Sequence, residues 1–556
     1  MGRSFFKKYT SPIKRQVIIL RRKMWITGLL AVCFLASGNM QANAAEQNEV
    51  MQQSVNLTDV QKQTIQEIKD TYQVESQQKI AKELEKKKKA GDYTVKNMLI
   101  EKNPFGTNAQ SLYVYFCTKD PVSVSYKVDA EDEKIGEFSA NVWQEEEYQT
   151  EHEFQVVGLV PEMENKITFF MTREDGSTDK KEIVIEMGPV LGDEDVLLEK
   201  EIEETESKLE NGLYVVFGNE KSAPDFMYYY DNEGVLRGEI PLLGGRSQRL
   251  IFEDGFMYYS ISDTKMVQMN RLGQITNIYD LGTYRLHHDY VFDENGNLLI
   301  LATDSSKDSL EDIVLKLDVK SGAVTEVLDL GKIFSEYKAM CYKNEEGKLD
   351  WMQINSIQWA GDGALILSSR ETSSIIKLVS IYDNPTVAYI IGEPQIWNGT
   401  PYENLVLKKD GEFTIQGGQS SVLYAKDKEL EEGQYYLYLF NNDTGVSKSR
   451  PDLDWSQIGI LEEQKKEAKS YYYKYLVDEN SGTFSLKESF ELPVSEYGGS
   501  VQKMGENVVY ASGDSGSFGE YGQDHRLIGG YQMDSETLIY RVYKYDFEGF
   551  YFTDDK

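Results

Sequence analysis

Five polar residues occupy corresponding positions of a repeated sequence pattern, and their side chains suit anion chemistry. They are His288, Gln353, Asn355, Arg370 and Ser420. Arginine and amide side chains donate hydrogen bonds to anionic oxygens, and an imidazole exchanges protons near neutral pH. A serine is a poor nucleophile unless a neighbouring base activates it. Together these residues predict a site that binds an oxyanion, provided that the fold brings them together.

The alignment of these residues comes from their distance to turn glycines. His288 lies eight residues before Gly296. Asn355 lies eight residues before Gly363. In the next repeat the corresponding position falls near Ser420, in the stretch Gly-Gly-Gln-Ser-Ser. The three positions therefore belong to three consecutive repeats.

Two further candidates share the repeat that contains Asn355. Gln353 is two residues earlier, which places it on the same face of a strand. Arg370 follows Ile-Leu-Ser-Ser, at the far end of the next strand. By the same alternation, His287 should point away from His288 and serve packing.

The elements that must position these residues are long hairpins, which recur from residue 212 to residue 556. The clearest repeat contains three strands, with turns at Asn295-Gly296 and Lys320-Ser321-Gly322. Similar repeats begin near Gly212, Gln248, His288, Gln353, Gly417 and Gly499. Six such sheets predict a six-bladed β-propeller, in which radial repetition protects the strand edges. The first strand of each blade begins near the central channel, so the candidate side chains would face one channel.

The remaining chain predicts an all-β protein with smaller elements before the propeller. Residues 94–190 form a predicted β-sandwich, with strand-like runs that include 111–118 and 122–128 and contain His152 as a surface residue. Residues 191–211 are a charged linker. Residues 45–93 contain a polar segment and one helix from residue 59 to about residue 89. Two roles stay open for this helix, which either packs on the sandwich or forms a homodimer.

Charge and leader sequence indicate an exported protein. The formal net charge of −33 argues against nucleic-acid binding, which needs a basic surface. Residues 1–44 contain eight basic and no acidic side chains, an apolar run from Trp25 to Ala36 and the small residues 42–44. This pattern predicts a signal peptide, with an uncleaved N-terminal anchor as the alternative. No other segment is long and apolar enough to span a membrane.

Cysteine and metal-ligand patterns add little. Cys117 and Cys341 lie in different predicted domains, and nothing in the sequence fixes a disulfide geometry between them. No spacing typical of metal ligands occurs, and no cofactor is implied.

Several segments together resemble the bacterial aryl-sulfate sulfotransferases. The resemblance covers roughly residues 94–552. The segments are Asn103-Pro-Phe-Gly-Thr-Asn, His287-His-Asp, Asp350-Trp-Met-Gln-Ile-Asn-Ser-Ile-Gln, Ile366-Leu-Ser-Ser-Arg, Ser374-Ile-Ile-Lys-Leu, Tyr389-Ile-Ile-Gly-Glu-Pro-Gln-Ile-Trp, Tyr435-Tyr-Leu-Tyr-Leu-Phe-Asn-Asn and Arg541-Val-Tyr-Lys-Tyr. Their combination is specific, whereas each alone is weak.

The resemblance implies a six-bladed propeller that moves a sulfuryl group from a phenolic sulfate ester to a phenol, without a nucleotide sulfate donor. It implies a sulfurylated histidine intermediate and sulfate binding by Arg370 and Asn355. His288 matches a channel histidine of the family. Gln353 stands in place of a second histidine, and Ser420 stands in place of the nucleophile. Loss of a proton-transfer group alone typically costs roughly 10²–10⁴ in rate.

Three hypotheses follow for the function. The first is an aryl-sulfate sulfotransferase with an altered catalytic set, in which His288 acts as acid, base or substitute nucleophile. The second is a pseudoenzyme that binds aryl sulfates or similar anionic aromatic ligands outside the cytoplasm. The third is a propeller used for protein contacts. The fold is common to all three, so the site must decide between them.

Overall fold

The computed structural model describes residues 59–192, 194–218, 224–444, 447–454, 469–535 and 538–553. The predicted signal peptide or anchor at residues 1–44 lies outside the described residues, as do residues 45–58. In the part that is described, no helix combines the length and the apolar character needed to cross a membrane.

Within the described residues the helices are few and short. They are α1 (Asp59–Thr71), α2 (Val74–Ala90), α3 (Leu330–Ile333) and α4 (Ser335–Lys338), with 3₁₀ turns at Pro394–Trp397 and Glu403–Leu405. The prediction of one continuous N-terminal helix is wrong, because Gln73 has extended backbone angles between α1 and α2. The side chain of Gln77 donates hydrogen bonds to the carbonyl oxygens of Thr71 and Phe105. An amide side chain thus satisfies a carbonyl at the end of α1.

The N-terminal β-domain is built around one long strand. Its strands are β1 (Leu99–Lys102), β2 (Leu112–Ala130), β3 (Phe138–Asn141), β4 (Gln149–Val156), β5 (Glu164–Thr172) and β6 (Thr178–Glu186). The first half of β2 pairs with β1 and β4, and its second half pairs with β3 and β5. The runs 111–118 and 122–128 are therefore parts of a single strand. Alternate β2 side chains are buried, which is typical of a strand with one face in a core.

His152 is buried in this domain, although the sequence predicts a surface position. It pairs with Phe116 across the strands, and the two rings stack with centroids 4.8 Å apart. Burial lowers the pKa of His152 to about 4. Successive side chains of β4 point to opposite faces of the sheet. His152 therefore lies on the same, buried face as Phe154, two residues later.

The remaining described strands form six sheets and one short parallel pair, and the sheets are antiparallel except where β25 (Lys408–Lys409) pairs in parallel with β29 (Thr483–Leu492) in the fifth sheet. The first sheet contains β8 (Leu213–Val216), β9 (Phe226–Tyr230), β10 (Leu236–Pro241) and β34 (Val542–Tyr545). The second sheet contains β11 (Ile251–Glu253), β12 (Phe256–Ser262), β13 (Lys265–Met269) and β14 (Ile275–Asp280). The third contains β15 (Tyr284–Phe292), β16 (Asn297–Asp304), β18 (Ile313–Asp318) and β19 (Val324–Asp329), and the fourth β21 (Ile354–Gly361), β22 (Ala364–Ser369), β23 (Ser374–Val379) and β24 (Thr386–Ile391). The fifth contains β25 (Lys408–Lys409), β26 (Ser420–Ala425), β27 (Gln434–Asn441), β28 (Ser470–Asp478) and β29 (Thr483–Leu492), and the sixth β30 (Ser500–Met504), β31 (Asn507–Ser512), β32 (Ser517–Tyr521), β33 (Leu527–Gln532) and β7 (Lys200–Glu201). The short pair is β17 (Ser309–Leu310) with β20 (Leu349–Asp350).

The sheets contact one another through their first strands. Strand β15 contacts β21, β21 contacts β26, β26 contacts β30, and β30 contacts β34. Residues before β11 complete this series, because the Leu250 amide donates to the Tyr545 hydroxyl at 3.1 Å. On the other side, the Tyr290 hydroxyl donates to the Arg249 carbonyl at 2.5 Å. Contacts between neighbouring sheets therefore involve the first strands of the third to sixth sheets, β34 of the first sheet and the residues just before β11 of the second.

Apolar side chains between neighbouring sheets form the core. One large cluster joins the third, fourth and fifth sheets and includes Trp351, Ile366 and Leu437, all fully buried. A second cluster joins the sixth, first and second sheets and includes Tyr229 and Val542. Each fully buried side chain of this kind stabilises the fold by roughly 1.5–3 kcal/mol relative to exposure. These layers fix the first strands and therefore the side chains at their starts.

Candidate anion-binding site

A bulge in β15 presents two adjacent histidines on the same side. Leu286 pairs with Ala302 and Tyr290 pairs with Ile300, so the residues between them interrupt the ladder. His288 has a φ of +53°, which breaks the alternation of side chains. The Nδ1 atoms of His287 and His288 lie 3.0 Å apart. The expectation that His287 points away from His288 is therefore wrong.

Three arginines influence the imidazole of His288. The charges of Arg246, Arg541 and Arg370 all disfavour its protonated form. Burial first, and then His287 and these guanidinium groups, hold the pKa of His288 well below the ordinary value for histidine. The imidazole is therefore neutral near neutral pH, with a nitrogen lone pair free of a proton.

Tyr540 connects two of these arginines to the histidine. Its hydroxyl donates to the His288 carbonyl oxygen at 2.7 Å. The Arg246 guanidinium lies 3.9 Å from the centroid of the Tyr540 ring, and that of Arg541 lies 5.0 Å from it. Among the described residues, Arg246 has no carboxylate within ion-pair distance, so its hydrogen-bond donors are available to a ligand.

Arg541 is held by a buried carboxylate next to His288. Asp289 Oδ1 lies 3.2 Å from Arg541 Nη1 and 3.3 Å from Arg249 Nη1. Arg541 Nη2 also donates to the Asn355 carbonyl oxygen at 3.3 Å. Asp289 thus ties the first, second and third sheets together and limits the movement of Arg541.

Gln353 positions Arg370 by hydrogen bonding. Arg370 Nη1 donates to Gln353 Oε1 at 3.3 Å, and the Arg370 amide donates to the Gln353 carbonyl oxygen at 3.1 Å. Gln353 Nε2 donates to Asp350 Oδ2 at 2.5 Å. The Arg370 guanidinium also lies 4.5 Å from the centroid of the Tyr497 ring. An amide can fill this bridging role between a carboxylate and a guanidinium at any pH.

Asn355 and Ser420 lie on neighbouring first strands, and Asn355 bridges them. Asn355 Nδ2 donates to the carbonyl oxygen of Gln419, the residue before Ser420, at 2.7 Å. Asn355 Oδ1 is buried and has no hydrogen-bond partner in the described part of the chain. Ser420 is 8% exposed, and its hydroxyl makes no hydrogen bond to any described histidine. Asn355 therefore contacts both the residue before Ser420, through its side chain, and Arg541, through its carbonyl oxygen.

Glu311 lies beside His288 on the segment between β17 and β18. Its Oε1 is 3.8 Å from His288 Nδ1. Burial, followed by the charge of Asp350, raises the pKa of Glu311 to about 8. The charges of Arg246 and Arg370 act in the opposite direction. The site therefore contains a carboxyl group that exchanges protons near neutral pH.

The site gathers positive groups within a strongly acidic chain, and sequence analysis missed part of it. The five predicted residues all lie in this region, but Arg246, Arg541 and Glu311 were not among them. Arg246 had a signal, because it follows Gly-Gly just before the repeat that begins near Gln248. Arg541 was also visible, directly before β34 in a segment shared with the family. Glu311 had no signal, because a β-bulge and a loop bring it to His288.

Comparison with known families agrees with the resemblance seen in the sequence. Residues 198–544 match the family described as arylsulfotransferase (ASST), and residues 99–188 match the arylsulfotransferase Ig-like domain. This chain belongs to the arylsulfotransferase family and carries its N-terminal Ig-like domain. Among curated proteins, none matches this chain.

Solved structures give only distant similarities. A putative 6-phosphogluconolactonase from Bacteroides uniformis is 11% identical, with 77% of this chain and 100% of that chain covered and a TM-score of 0.34. A putative 6-phosphogluconolactonase from Bacteroides fragilis is 10% identical, with 76% and 96% covered and a TM-score of 0.32. The C-terminal WD40 domain of Sif2 is 9% identical, with 59% and 70% covered and a TM-score of 0.29. Similarity at this level does not bear on the activity of this chain.

Proposed function

We propose that the six sheets form a six-bladed propeller and that the site around His288 lies in its central channel. The contacts between successive first strands, returning to β34, support this arrangement. In such a fold the starts of the first strands line the axis. The proposed propeller spans residues 212–556, after the sandwich at 94–190 and the linker at 191–211.

The proposed activity is sulfuryl transfer from a phenolic sulfate ester to a phenol acceptor, without a nucleotide sulfate donor. Two observations carry this proposal. Arg246 and Arg541 lie against the ring of Tyr540, whose hydroxyl donates to the His288 carbonyl oxygen, and the charges of these arginines and Arg370 keep the imidazole neutral. Guanidinium groups hold sulfate oxygens by paired, charge-assisted hydrogen bonds. Arg370, Arg541 and Arg246 would stabilise the charge that moves onto the ester oxygen as the S–O bond breaks.

His288 takes the place of the absent nucleophile in this proposal. A neutral imidazole nitrogen forms a bond to sulfur while the bond from sulfur to the phenolic oxygen breaks. The phenolate leaves and takes a proton from solvent. The acceptor phenol then releases its proton to solvent and its oxygen bonds to sulfur, while the N–S bond breaks and its electron pair returns to the His288 nitrogen.

We expect sulfuryl transfer to be slower than in family members that have both histidines, because Ser420 and Gln353 replace them here. Ser420 has no described base in contact with its hydroxyl, so it is not activated for attack. Gln353 cannot shuttle a proton and instead positions Arg370. Asn355, whose Oδ1 has no described partner, contributes an amide near the proposed sulfate position.

The compartment is proposed together with the activity. The basic and apolar leader at residues 1–44 and the family membership support an extracytoplasmic or secreted protein. Small aryl compounds are the substrates, and the net charge of −33 disfavours nucleic acid. A homodimer through the N-terminal helical region remains a proposal that a mass measurement in solution tests.

A chromogenic aryl sulfate with a phenol acceptor tests the proposed activity. Slow turnover is expected, and His288→Ala or Arg370→Ala should abolish it. His525→Ala is the matched control, because that histidine is exposed and bonds Glu488 on β29 of the fifth sheet. Turnover that survives in the His288→Ala protein would refute a role for this imidazole.

Non-catalytic binding is the second candidate function, and the missing base at Ser420 favours it. Here the same guanidinium groups retain an aryl sulfate without transferring it. The expected result is no turnover but saturable binding that Arg370→Ala removes. Neither turnover nor binding would leave a role in protein contacts.

A further inference from the structure

Three potential metal ligands converge at the β15 bulge. His287, His288 and Glu311 each offer one atom, and these atoms all lie within 4.8 Å of one another. No other group of three histidine, cysteine or acidic side chains with this geometry occurs in the described part of the chain. His288 and Glu311 both have positive φ values, +53° and +55°, so the backbone departs from regular strand geometry at two of the three ligands.

The spacing of the donor atoms suits a first-row transition metal. Zinc binds histidine nitrogen and carboxylate oxygen at about 2.0–2.2 Å, so two of its ligand atoms sit roughly 3–4 Å apart. The two Nδ1 atoms are 3.0 Å apart, and His288 Nδ1 is 3.8 Å from Glu311 Oε1. The third distance joins the ligand atoms of His287 and Glu311 and is at most 4.8 Å. It needs to shorten only slightly for all three atoms to bind one metal ion.

The mutual orientation of the two imidazoles also fits a metal. The two histidines share a hydrogen bond through Nδ1, which fixes how the rings face each other. A metal would replace that shared proton.

We propose that His287 Nδ1, His288 Nδ1 and the Glu311 carboxylate form a site for a divalent transition metal of the zinc class. Two histidines and one carboxylate leave a further coordination position open. The neighbouring arginines would hold an anion bound at that position. This site does not depend on the proposed transfer activity, because the metal occupies the Nδ1 atoms whether or not sulfate is turned over.

The charges around the site limit its affinity. Asp350 and Glu371 act on Glu311 and favour a cation. Arg246 and Arg370 oppose it at both Glu311 and His288, and Arg541 opposes it at His288. Removing one of the opposing guanidinium groups should therefore tighten metal binding. Arg246 is the best choice, because no described carboxylate depends on it for an ion pair.

Calorimetric titration of the full chain with ZnCl₂, after removal of metal with a chelator, tests the proposal. We expect about one equivalent of Zn²⁺, with affinity at least tenfold weaker in His287→Ala and in Glu311→Gln. Arg246→Gln should bind the metal more tightly, whereas His152→Ala and His525→Ala should bind it as the unaltered chain does. The Glu311→Gln variant is nearly isosteric, so it remains informative if His287→Ala fails to fold. Absence of binding in the unaltered chain, or equal affinity in Glu311→Gln, would overturn the proposal.

Discussion

Arg541 Nη1 lies 3.2 Å from Asp289 Oδ1, and both side chains are almost fully buried. Asp289 follows His288 in β15, and Arg541 directly precedes β34 in the first sheet. This ion pair therefore fixes the position of a site arginine relative to the site histidine. A buried carboxylate that holds two guanidinium groups stabilises the fold only while all partners are present.

Asp289→Asn should lower the free energy of unfolding by about 3 kcal/mol or more, because Arg541 and Arg249 would lose their buried counter-charge. Denaturation by urea measures this change. Asp263→Asn is the control, because its pair with Arg285 is more than half exposed on both sides and should contribute less than about 1 kcal/mol. Equal losses in the two variants would contradict the structural role of Asp289.

The turn before Ser420 depends on a glycine. Gly418 has a φ of +57°, and a Cβ atom there would lie 2.2 Å from the Thr444 carbonyl oxygen. Gly418→Ala should therefore destabilise the protein by more than the roughly 1 kcal/mol expected for the backbone conformation alone. Gly399→Ala isolates that backbone cost, because Gly399 has a φ of +76° and an added Cβ would touch nothing. The melting temperature of Gly418→Ala should lie well below that of Gly399→Ala. The opposite order would contradict the tight turn at Gly418.

Sequence reasoning identified the family and predicted an N-terminal β-domain, which the family comparison describes as Ig-like, because these depend on local patterns. Turn glycines, strand alternation and shared segments are all visible along the chain. The same reasoning joined α1 and α2 into one helix, because the apolar stripe continues across Gln73. The break depends on a distant contact, the hydrogen bond from Tyr72 to the Pro241 carbonyl.

The site was harder to predict where the backbone departs from regular strand geometry. Alternation correctly describes a flat strand, but the bulge at His288 turns His287 toward the same side. Glu311 reaches His288 from a segment with its own positive φ, so no spacing rule predicts the contact. These long-range arrangements are also what bring the metal ligands together.

Replacement of both changed family positions should raise transfer. The double change Ser420→His with Gln353→His restores an imidazole nucleophile and a proton-transfer group, so the rate should rise by roughly 10²-fold or more. The chromogenic assay measures it, with Ser421→His as a control at a neighbouring hydroxyl that bonds Tyr543. A folded double variant with an unchanged rate would contradict the alignment of Ser420 and Gln353 with the family histidines.

Glu311 should make stability depend on pH. Its pKa rises from an ordinary value of 4.5 to about 8 in the folded protein. The folded state therefore favours the protonated carboxyl, and this contribution is present below the ordinary pKa and lost as pH rises through about 8.

Glu311→Gln should remove this dependence. Between about pH 5 and pH 8.5 the unaltered chain should lose on the order of 1–3 kcal/mol more unfolding free energy than the variant. Urea midpoints at the two pH values measure the difference, which also cancels the contributions of the buried histidines. Glu294→Gln, at an exposed turn, should behave as the unaltered chain does. A variant with the same pH dependence as the unaltered chain would contradict the burial of Glu311.

The central proposal for this protein is that the arginines near His288 bind an aryl sulfate. Calorimetry with 4-nitrophenyl sulfate tests it, comparing Arg246→Gln with Arg285→Gln, an exposed arginine outside the site. A charge-assisted hydrogen bond contributes about 1.5–3 kcal/mol, so Arg246→Gln should weaken binding by roughly tenfold or more. Arg285→Gln should leave the affinity unchanged. Equal affinity in the two variants, or no saturable binding to the unaltered chain, would contradict the account.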